Sequence, residues 1–454
     1  MNEQLVALEK AWHLSTTKGA HESQDKLLIY LKLGRSFLSQ LALLQFPANL
    51  FSVLIVSSKL LPKLSKEQMQ TFACVLQVDK GKAAKNWRDL SDVHYDEVAQ
   101  LVAAACRLAP FEGGKQLITL EEPLVRICAH LRTLHGFGGL QEDRVGLFVD
   151  KLAIKNHCDK RGIKAAFSMP FTVKEKSCSS VDQFADDVAA SLGFPLYVKP
   201  QHGCASVGHQ MLRTHDELHQ WLLSRWNLPE PYLIEERIIG DEFTIYMFVQ
   251  GDKILHSRTF HNEYPVGSFV MERLPICKLE VLASHVHYNM LSSFANRVVD
   301  AWKPIPDGIF FIQFFLNAEK EECTLIELCC RLPGGKYPAA LLRATSIDLE
   351  EMHLLANVQS VGFSDSGPFM AFLRYPRKAG RVSSLQAPDS LDIKSCCLAR
   401  WRIAVGDVLE NPRGVAGRHE AVSIILLNND YDELMRDYYT LISRYNPFSL
   451  EETN

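Results

Sequence analysis

The spacing of apolar residues along this chain switches repeatedly between a helical repeat and short continuous runs. Residues 25–46 show helical apolar spacing, with Leu41–Phe46 as a buried helix end, and Phe51–Ser57 follows as a first strand. That run is apolar and β-branched, as in a strand covered on both faces of a parallel sheet. Phe72–Val78 predicts the next strand, Asp96–Arg107 a helix opened by acidic residues, and Leu117–Leu120 a further strand. A helix from Pro123 to Leu134 places its proline in the first turn, where the missing N–H costs nothing, and Gly136, Gly138 and Gly139 stop it. Strands alternating with helices imply a parallel α/β sheet over residues 1–148.

The pattern beyond this point is mixed. A helix runs from Asp150 to Lys160 and is ended by Gly162; Val181–Leu192, Leu196–Pro200, His215–Ser224 and Tyr232–Glu236 then give helix, strand, helix, strand. Glu242–Val249 and Lys253–Arg258 form an antiparallel pair turned at Gly251-Asp252, and Leu279–Trp302 reads as one long amphipathic helix. Gly308–Leu316 and Thr324–Leu328 make the strongest hairpin, joined by the charged turn Glu319–Glu322. After residue 362 strands dominate, with turns at Gly406-Asp407 and Asn428–Asp430 and a last helix over Asp432–Ser443.

Composition narrows the class. A chain of 454 residues exceeds one compact core, and 47% hydrophobic with 22% charged residues is an ordinary globular balance. A formal charge of −4 supplies no basic field for nucleic acid, so no nucleic-acid partner is expected. The weakly charged stretch Leu41–Leu61 is interrupted by Gln45, Pro47, Asn49 and Lys59, so no membrane span is expected either. Met1-Asn2-Glu3-Gln4 carries no secretory pattern, and twelve cysteines without a Cys-x-x-Cys fit a reduced, cytoplasmic protein.

The candidate chemistry sits at predicted strand ends and glycine loops. Lys199 ends a strand and is fixed by Pro200; the loop after it runs Gln201-His202-Gly203-Cys204-Ala205-Ser206-Val207-Gly208. Its glycines let backbone N–H groups approach phosphate oxygens, although no Gly-Lys-Ser/Thr closes it as in a Walker loop. Lys151, beside the helix-starting Asp150, is a second candidate phosphate cation or a solvated surface group. Glu235, Glu236 and Glu242 could accept from an adenine amino group and ribose hydroxyls, with the backbone from Glu236 to Ile238 reading the adenine edge. Gln313 and Glu327 lie in apolar strands, where an isolated carboxylate is costly to bury. A divalent cation bridging phosphates removes that cost, since Mg²⁺ takes one or two protein oxygens plus phosphates. Arg331 points to the same face as Glu327 and could pair with it or clamp an anion bidentately.

This ordered set resembles the ATP-grasp superfamily, and within it the carboxylate-amine ligases that include the L-amino-acid ligases. The likeness runs from residue 51 to 430. It rests on Glu122 through Gly139, Asp150-Lys151, Lys199-Pro200 with its loop, Glu235 to Glu242, and Ile326-Glu327 to Arg331-Leu332-Pro333-Gly334-Gly335. The resemblance implies an α/β chain with an N-terminal Rossmann-like α/β domain over 1–148 and a small central lid over 149–238. A larger α+β C-terminal domain would comprise a catalytic region over 239–362 and a β-rich part over 363–454. It further implies that Lys151 and Lys199 hold the α- and β-phosphates of ATP. The loop containing His202, Gly203, Ser206 and Gly208 would close over the triphosphate. Glu235 and Glu236 with Ile238 would meet the adenine, Glu242 the ribose, and Gln313 and Glu327 Mg²⁺ or Mn²⁺. Arg331 would stabilise the transferred phosphoryl group, and Glu272, Gly334 and Gly335 would line the acceptor pocket.

Two positions depart from that pattern: Gln313 stands where most members have Glu, and Cys329 where many have Asn. A neutral amide binds Mg²⁺ less strongly and a thiol is a poor ligand for so hard an ion, which puts a second metal position in doubt. The leading expectation is an ADP-forming ligase joining a small carboxylate to an amine, with an amino-acid substrate and homodimerisation by analogy. A bicarbonate-activating carboxylase, or a nucleotide-binding regulatory protein without turnover, are the alternatives.

Overall fold

The computed structural model describes residues 1–18, 24–34, 44–78, 90–203, 206–364, 367–411 and 416–451. Strands Lys26–Lys32, Leu50–Ser57, Cys74–Val78 and Gly114–Ile118 form a four-stranded sheet in which every pairing is parallel. Helices Asn2–Lys18 and Leu90–Cys106 cover this sheet, with Leu8, Val98, Leu101 and Val102 packed on Leu27, Ile29, Phe51 and Val53.

Two element assignments from the apolar pattern change. Lys26–Lys32 is a strand, not the start of a helix, and its residues from Leu27 to Lys32 are buried. The continuous run Leu27-Leu28-Ile29-Tyr30-Leu31 satisfies a helical stripe and a doubly covered strand equally, and pairing with Leu50–Ser57 and Gly114–Ile118 decides it. Residues 44–47 have no regular structure, and the rest of the expected helix end, 41–43, lies outside the described residues. Leu279–Trp302 is likewise two elements: a strand, Ile276–Glu280, and a helix, Tyr288–Trp302.

A small antiparallel sheet follows, ordered Ser168–Phe171, Tyr232–Glu236, Leu196–Pro200, Gln210–Leu212. Helices Val181–Leu192 and His215–Arg225 pack on it through Phe184, Val188, Leu218 and Trp221. The largest sheet has eight antiparallel strands, in the order Glu322–Cys329, Gly308–Asn317, Asp241–Gln250, Lys253–Asn262, Ile276–Glu280, Phe369–Pro376, Glu420–Asn428, Cys396–Trp401. One of its faces buries Phe243, Ile245, Ile312 and Phe314 against the Tyr288–Trp302 helix, and Leu373, Ile424 and Leu426 against the helix Tyr431–Arg444. The opposite face carries Tyr246, Phe260, Phe311 and Phe372 under the helices Tyr337–Thr345 and Leu349–Ala356.

That second face also reaches the parallel sheet. Glu350, on the Leu349–Ala356 helix, takes an ion pair from Lys32 and a hydrogen bond from the Tyr30 hydroxyl, all three buried, and Leu354 packs among Leu28, Tyr30 and Leu54. No helix among the described residues is long and apolar enough to cross a membrane.

Candidate functional site

Cross-strand pairing assembles the floor of a large cavity. Gln313 stands directly opposite Glu327 on one side and Thr244 on the other, so the three side chains share the sheet face that carries Tyr246 and Phe311. A register shift falls between Gln313 and Phe314, a bulge of the kind that re-aims a side chain. The cavity above measures about 560 Å³, within the usual range for small-molecule sites. Lys151, Lys199, Gly203, Ser206, Gln313, Glu327, Arg331, Gly334 and Gly335 all line it, so nine of the residues singled out from the sequence converge.

The two lysines arrive by local rules. Asp150 caps the helix Lys151–Arg161 by accepting from the N–H groups of Leu152 (3.0 Å) and Ala153 (3.1 Å), and a left-handed Gly162 closes the helix. Gln201 donates to both Asp150 carboxylate oxygens at 2.9 Å, which locks the helix start to the loop after Lys199. Lys151 then donates to the Gly203 carbonyl at 2.7 Å. Burial pulls its pKa down, while Glu327 opposes that and Lys199 adds to it.

Lys199 is 7% exposed and forms an ion pair of 2.8 Å with Glu235, which is 4% exposed and meets Lys155 at 3.0 Å with its other oxygen. Burial by itself would raise the Glu235 pKa; the two cations outweigh it and hold the carboxyl below its ordinary value. Each Glu235 oxygen thus faces one lysine, and the pair with Lys199 holds that ammonium at the cavity wall.

The loop after Lys199 turns on left-handed residues, with φ of +105° at Gly203, +56° at Ser206 and +77° at Gly208. A Cβ on Gly208 would lie 2.8 Å from Pro200 Cγ, so only glycine fits there; Cys204 and Ala205 lie outside the described residues. His209, half-buried on the cavity wall, has its imidazole pushed down by desolvation and then by Lys199 and Lys151.

At the hairpin, Glu327 is half-buried and accepts from Cys329 Sγ at 3.4 Å. Burial raises its pKa, and Arg331 and Lys151 pull it below the ordinary value. Arg331 pairs with Glu122 through Nε, donates to the Leu332 carbonyl at 3.1 Å and lies 5.2 Å over the Phe311 ring. Its carboxylate partner is thus Glu122, not the same-face Glu327.

Several expected site residues lie off this cavity. Glu236 accepts from the Phe167 N–H at 2.7 Å, and Ile238 sits half-buried in the connector beyond it. Glu242 is buried, accepting from Asn262 at 2.8 Å and from the Val266 N–H at 2.9 Å; burial pushes its pKa up to about 7. Glu272 accepts from Ser268 at 2.7 Å and meets Arg213 at 3.4 Å, so it is tied to neighbouring side chains and does not line the cavity. His202 is exposed, 3.3 Å from Arg126. Pattern reading missed Lys155, one helical turn after Lys151, and a set of cavity cations drawn from distant strands, Lys278, Arg374 and Arg402 among them.

With this geometry in hand, the wider likenesses fall into place. Residues 158–264 match the family model described as D-ala D-ala ligase C-terminus. The whole architecture superposes on solved enzymes at low identity. An L-amino acid ligase from Bacillus licheniformis matches with a TM-score of 0.63 at 14% identity, covering 94% of this chain and 99% of that one. The chain has the ATP-grasp fold. A carboxyaminoimidazole ribonucleotide synthase from Aspergillus clavatus, solved with ATP, shares the ATP-grasp fold with a TM-score of 0.60 at 14% identity over 92% of this chain and 98% of that one. Among curated sequences, the D-alanine–D-alanine ligase of Acetivibrio thermocellus is 25% identical over 205 residues, 42% of this chain. D-alanine–D-alanine ligase A of Clostridium perfringens is 32% identical over 79 residues, 17% of this chain. The chain spans only 50% and 26% of the lengths of those two ligases.

Proposed function

We propose that this protein is an ATP-dependent carboxylate-amine ligase that forms an amide or peptide bond on an amino-acid substrate through an acyl phosphate. The observation that carries the reading is the convergence of Lys151, Lys199, Gln313, Glu327 and Arg331 on one cavity. The reading is supported by the match of residues 158–264, which include Lys199, to a ligase family.

Lys151 and Lys199 neutralise the phosphates of ATP, Lys199 being aimed by Glu235, and the loop from Gly203 to Gly208 lies along the triphosphate. Gln313 and Glu327, directly opposite on paired strands, would hold a Mg²⁺ ion; among the described residues no cluster of three acidic, His or Cys ligands forms an all-protein metal cage. Magnesium, or manganese in its place, would supply charge neutralisation at the triphosphate. A substrate carboxylate oxygen attacks the γ-phosphorus, the bond from that phosphorus to the bridging oxygen breaks, and ADP leaves. The amine nitrogen then attacks the acyl carbon, the carbon–oxygen bond to phosphate breaks, and phosphate departs as the nitrogen loses a proton. Arg331, held by Glu122 and Phe311, offsets the charge of the transferred phosphoryl group; a positioned cation of this kind contributes on the order of a hundredfold.

ADP release against a matrix of paired amino acids tests the reading, and Glu327→Ala should abolish it. Turnover retained by that variant overturns the assignment of Glu327. AMP as product, or no oxygen transferred from the carboxylate to phosphate, overturns the acyl-phosphate route. Turnover driven by bicarbonate without any amino acid would point instead to a carboxylase.

A further inference from the structure

The cavity continues beyond the groups assigned to nucleotide into a recess walled by Lys278, Lys336, Arg374, Arg402 and Glu420. The sheet order explains the separation: Lys278, Arg374 and Glu420 come from strands three or more places across from the Glu322–Cys329 strand, Arg402 directly follows the Cys396–Trp401 strand, and Lys336 lies just after Gly335. Tyr246 and Tyr337, stacked 4.0 Å apart, line the same cavity with Phe372.

The recess holds more positive charge than its own acid balances. Glu420, 2% exposed, meets Arg374 Nε at 2.8 Å, Arg402 Nε at 2.9 Å and Lys336 at 3.9 Å. Both arginines hydrogen-bond Glu420 through Nε, and among the described residues their terminal nitrogens have no hydrogen-bond partner, although the Arg374 guanidinium also lies 5.0 Å over the Phe269 ring. Lys278 donates to the hydroxyls of Thr244 (2.7 Å) and Tyr246 (3.5 Å), with no carboxylate within 4.0 Å among the described residues. Four cations, Lys278, Lys336, Arg374 and Arg402, less the one acid Glu420, leave three positive charges. Crediting Glu242, which acts on Lys278 from two strands away, still leaves two. Burial lowers the Lys336 pKa; Glu420 opposes that, and Arg400, Arg402 and Arg374 add to it. Charges gathered in a recess are costly unless an anion meets them.

We infer that this recess receives an anionic side group, so that one of the two joined substrates is an acid with a carboxylate beyond those of a plain amino-acid pair. A neutral amino acid used as the amine donor keeps one carboxylate, which cannot balance the excess. The terminal nitrogens of Arg402, and those of Arg374 over Phe269, suit a second, bidentately held carboxylate. This identification of substrate class rests on the ligase reading, while the anion recess stands on its own geometry.

The test uses the full chain and pairs of amino acids matched in shape and differing by one charge: glutamate against glutamine, and aspartate against asparagine, each in both substrate positions. ADP release should favour the charged member by about tenfold or more in kcat/KM, the usual worth of a charged hydrogen bond. Arg402→Gln, at a side chain 40% exposed and so tolerant of exchange, should bring that ratio toward one. Equal kcat/KM within the pairs, or a ratio unmoved in Arg402→Gln, overturns the substrate class. Calorimetric titration of glutarate into the chain with ADP and Mg²⁺ separates the two claims. Binding that weakens about tenfold in Arg402→Gln with no ADP release anywhere in the panel keeps the recess and sinks the ligase reading. Absence of glutarate binding to the unmodified chain sinks the recess and leaves the ligase reading standing.

Discussion

Replacing Glu235 by Gln tests how the phosphate end of the cavity is held. The exchange keeps size and shape but removes the one negative charge between Lys199 at 2.8 Å and Lys155 at 3.0 Å, in a place only 4% exposed. Two ammonium groups then face a neutral amide and repel, by at most roughly 4 kcal/mol, the value for like charges about 4 Å apart at an effective dielectric near 20. One lysine must swing out or lose its proton, which caps the loss at the about 3–5 kcal/mol typical of breaking a buried pair. Lys155→Met should cost less, because it leaves Glu235 and Lys199 matched one to one.

The assay is amide hydrogen exchange followed in peptides covering Leu196–Pro200 and Tyr232–Glu236, the two paired strands that carry Lys199 and Glu235. A loss of that size accelerates exchange there by about a hundredfold to a few thousandfold, with Glu235→Gln faster than Lys155→Met. The sign of the pH dependence follows from the lowered Glu235 pKa. Its contribution is complete above the ordinary carboxylate pKa of about 4.3 and is lost as pH falls through the lower folded value. The gap between Glu235→Gln and the unmodified chain should therefore be constant from neutral pH to about 4.3 and close only below it. Protection in Glu235→Gln within tenfold of the unmodified chain would refute the argument that this carboxylate anchors Lys199.

Two further predictions concern the frame around the site. Gly240 has φ +143°, and a Cβ there would sit 2.4 Å from the Leu316 carbonyl oxygen, so Gly240→Ala should lower stability by at least about 1–3 kcal/mol; a urea midpoint equal to that of the unmodified chain would contradict it. His353, buried and accepting from the Ile309 N–H at 3.2 Å, has its pKa pushed down to about 3 by burial and then by Arg132. A depressed pKa gives stability that is present above the ordinary histidine value and lost as pH falls, at about 1.4 kcal/mol per pH unit below about 6.5. Unfolding measured from pH 7 to 5 should show a slope that His353→Gln flattens, and identical slopes in the two proteins would rule out His353 as its source.

What the sequence revealed, it revealed through rules that act over a few residues. Asp150 and Gly162 mark both ends of one helix because caps are local, and the hairpin periodicity places Gln313 and Glu327 on its two strands, where the register sets them opposite. Lys26–Lys32 was misread because a short apolar run carries no period of its own, and only two flanking parallel strands define it. Lys155 was within reach: it lies four residues after Lys151, hence on the same helix face. The basic recess was not, since Lys278, Lys336, Arg374, Arg402 and Glu420 are spread over more than a hundred residues and meet only through the order of strands. Side-chain pairing also stayed hidden, as the choice of Glu122 over Glu327 by Arg331 shows.

That recess changes how the departures at Gln313 and Cys329 are weighed. The cavity lining carries seven cations, Lys151, Lys199, Lys278, Arg331, Lys336, Arg374 and Arg402, against four acids, Glu121, Glu122, Glu327 and Glu420. Glu121 accepts from the backbone of Leu33 and Gly34, and Glu122 and Glu420 are held in ion pairs, which leaves Glu327 as the lining carboxylate facing the proposed phosphate site. A site with many metal ions needs negative ligands to hold them; a site that meets polyanionic ligands with fixed cations needs fewer. A neutral amide at position 313 and a thiol at 329, held protonated by burial and then by Glu327, both keep the field of this cavity positive. The two residues that look like losses against the ligase pattern are thus consistent with a cavity that neutralises its ligands chiefly with lysine and arginine, and with substrates that bring negative charge of their own.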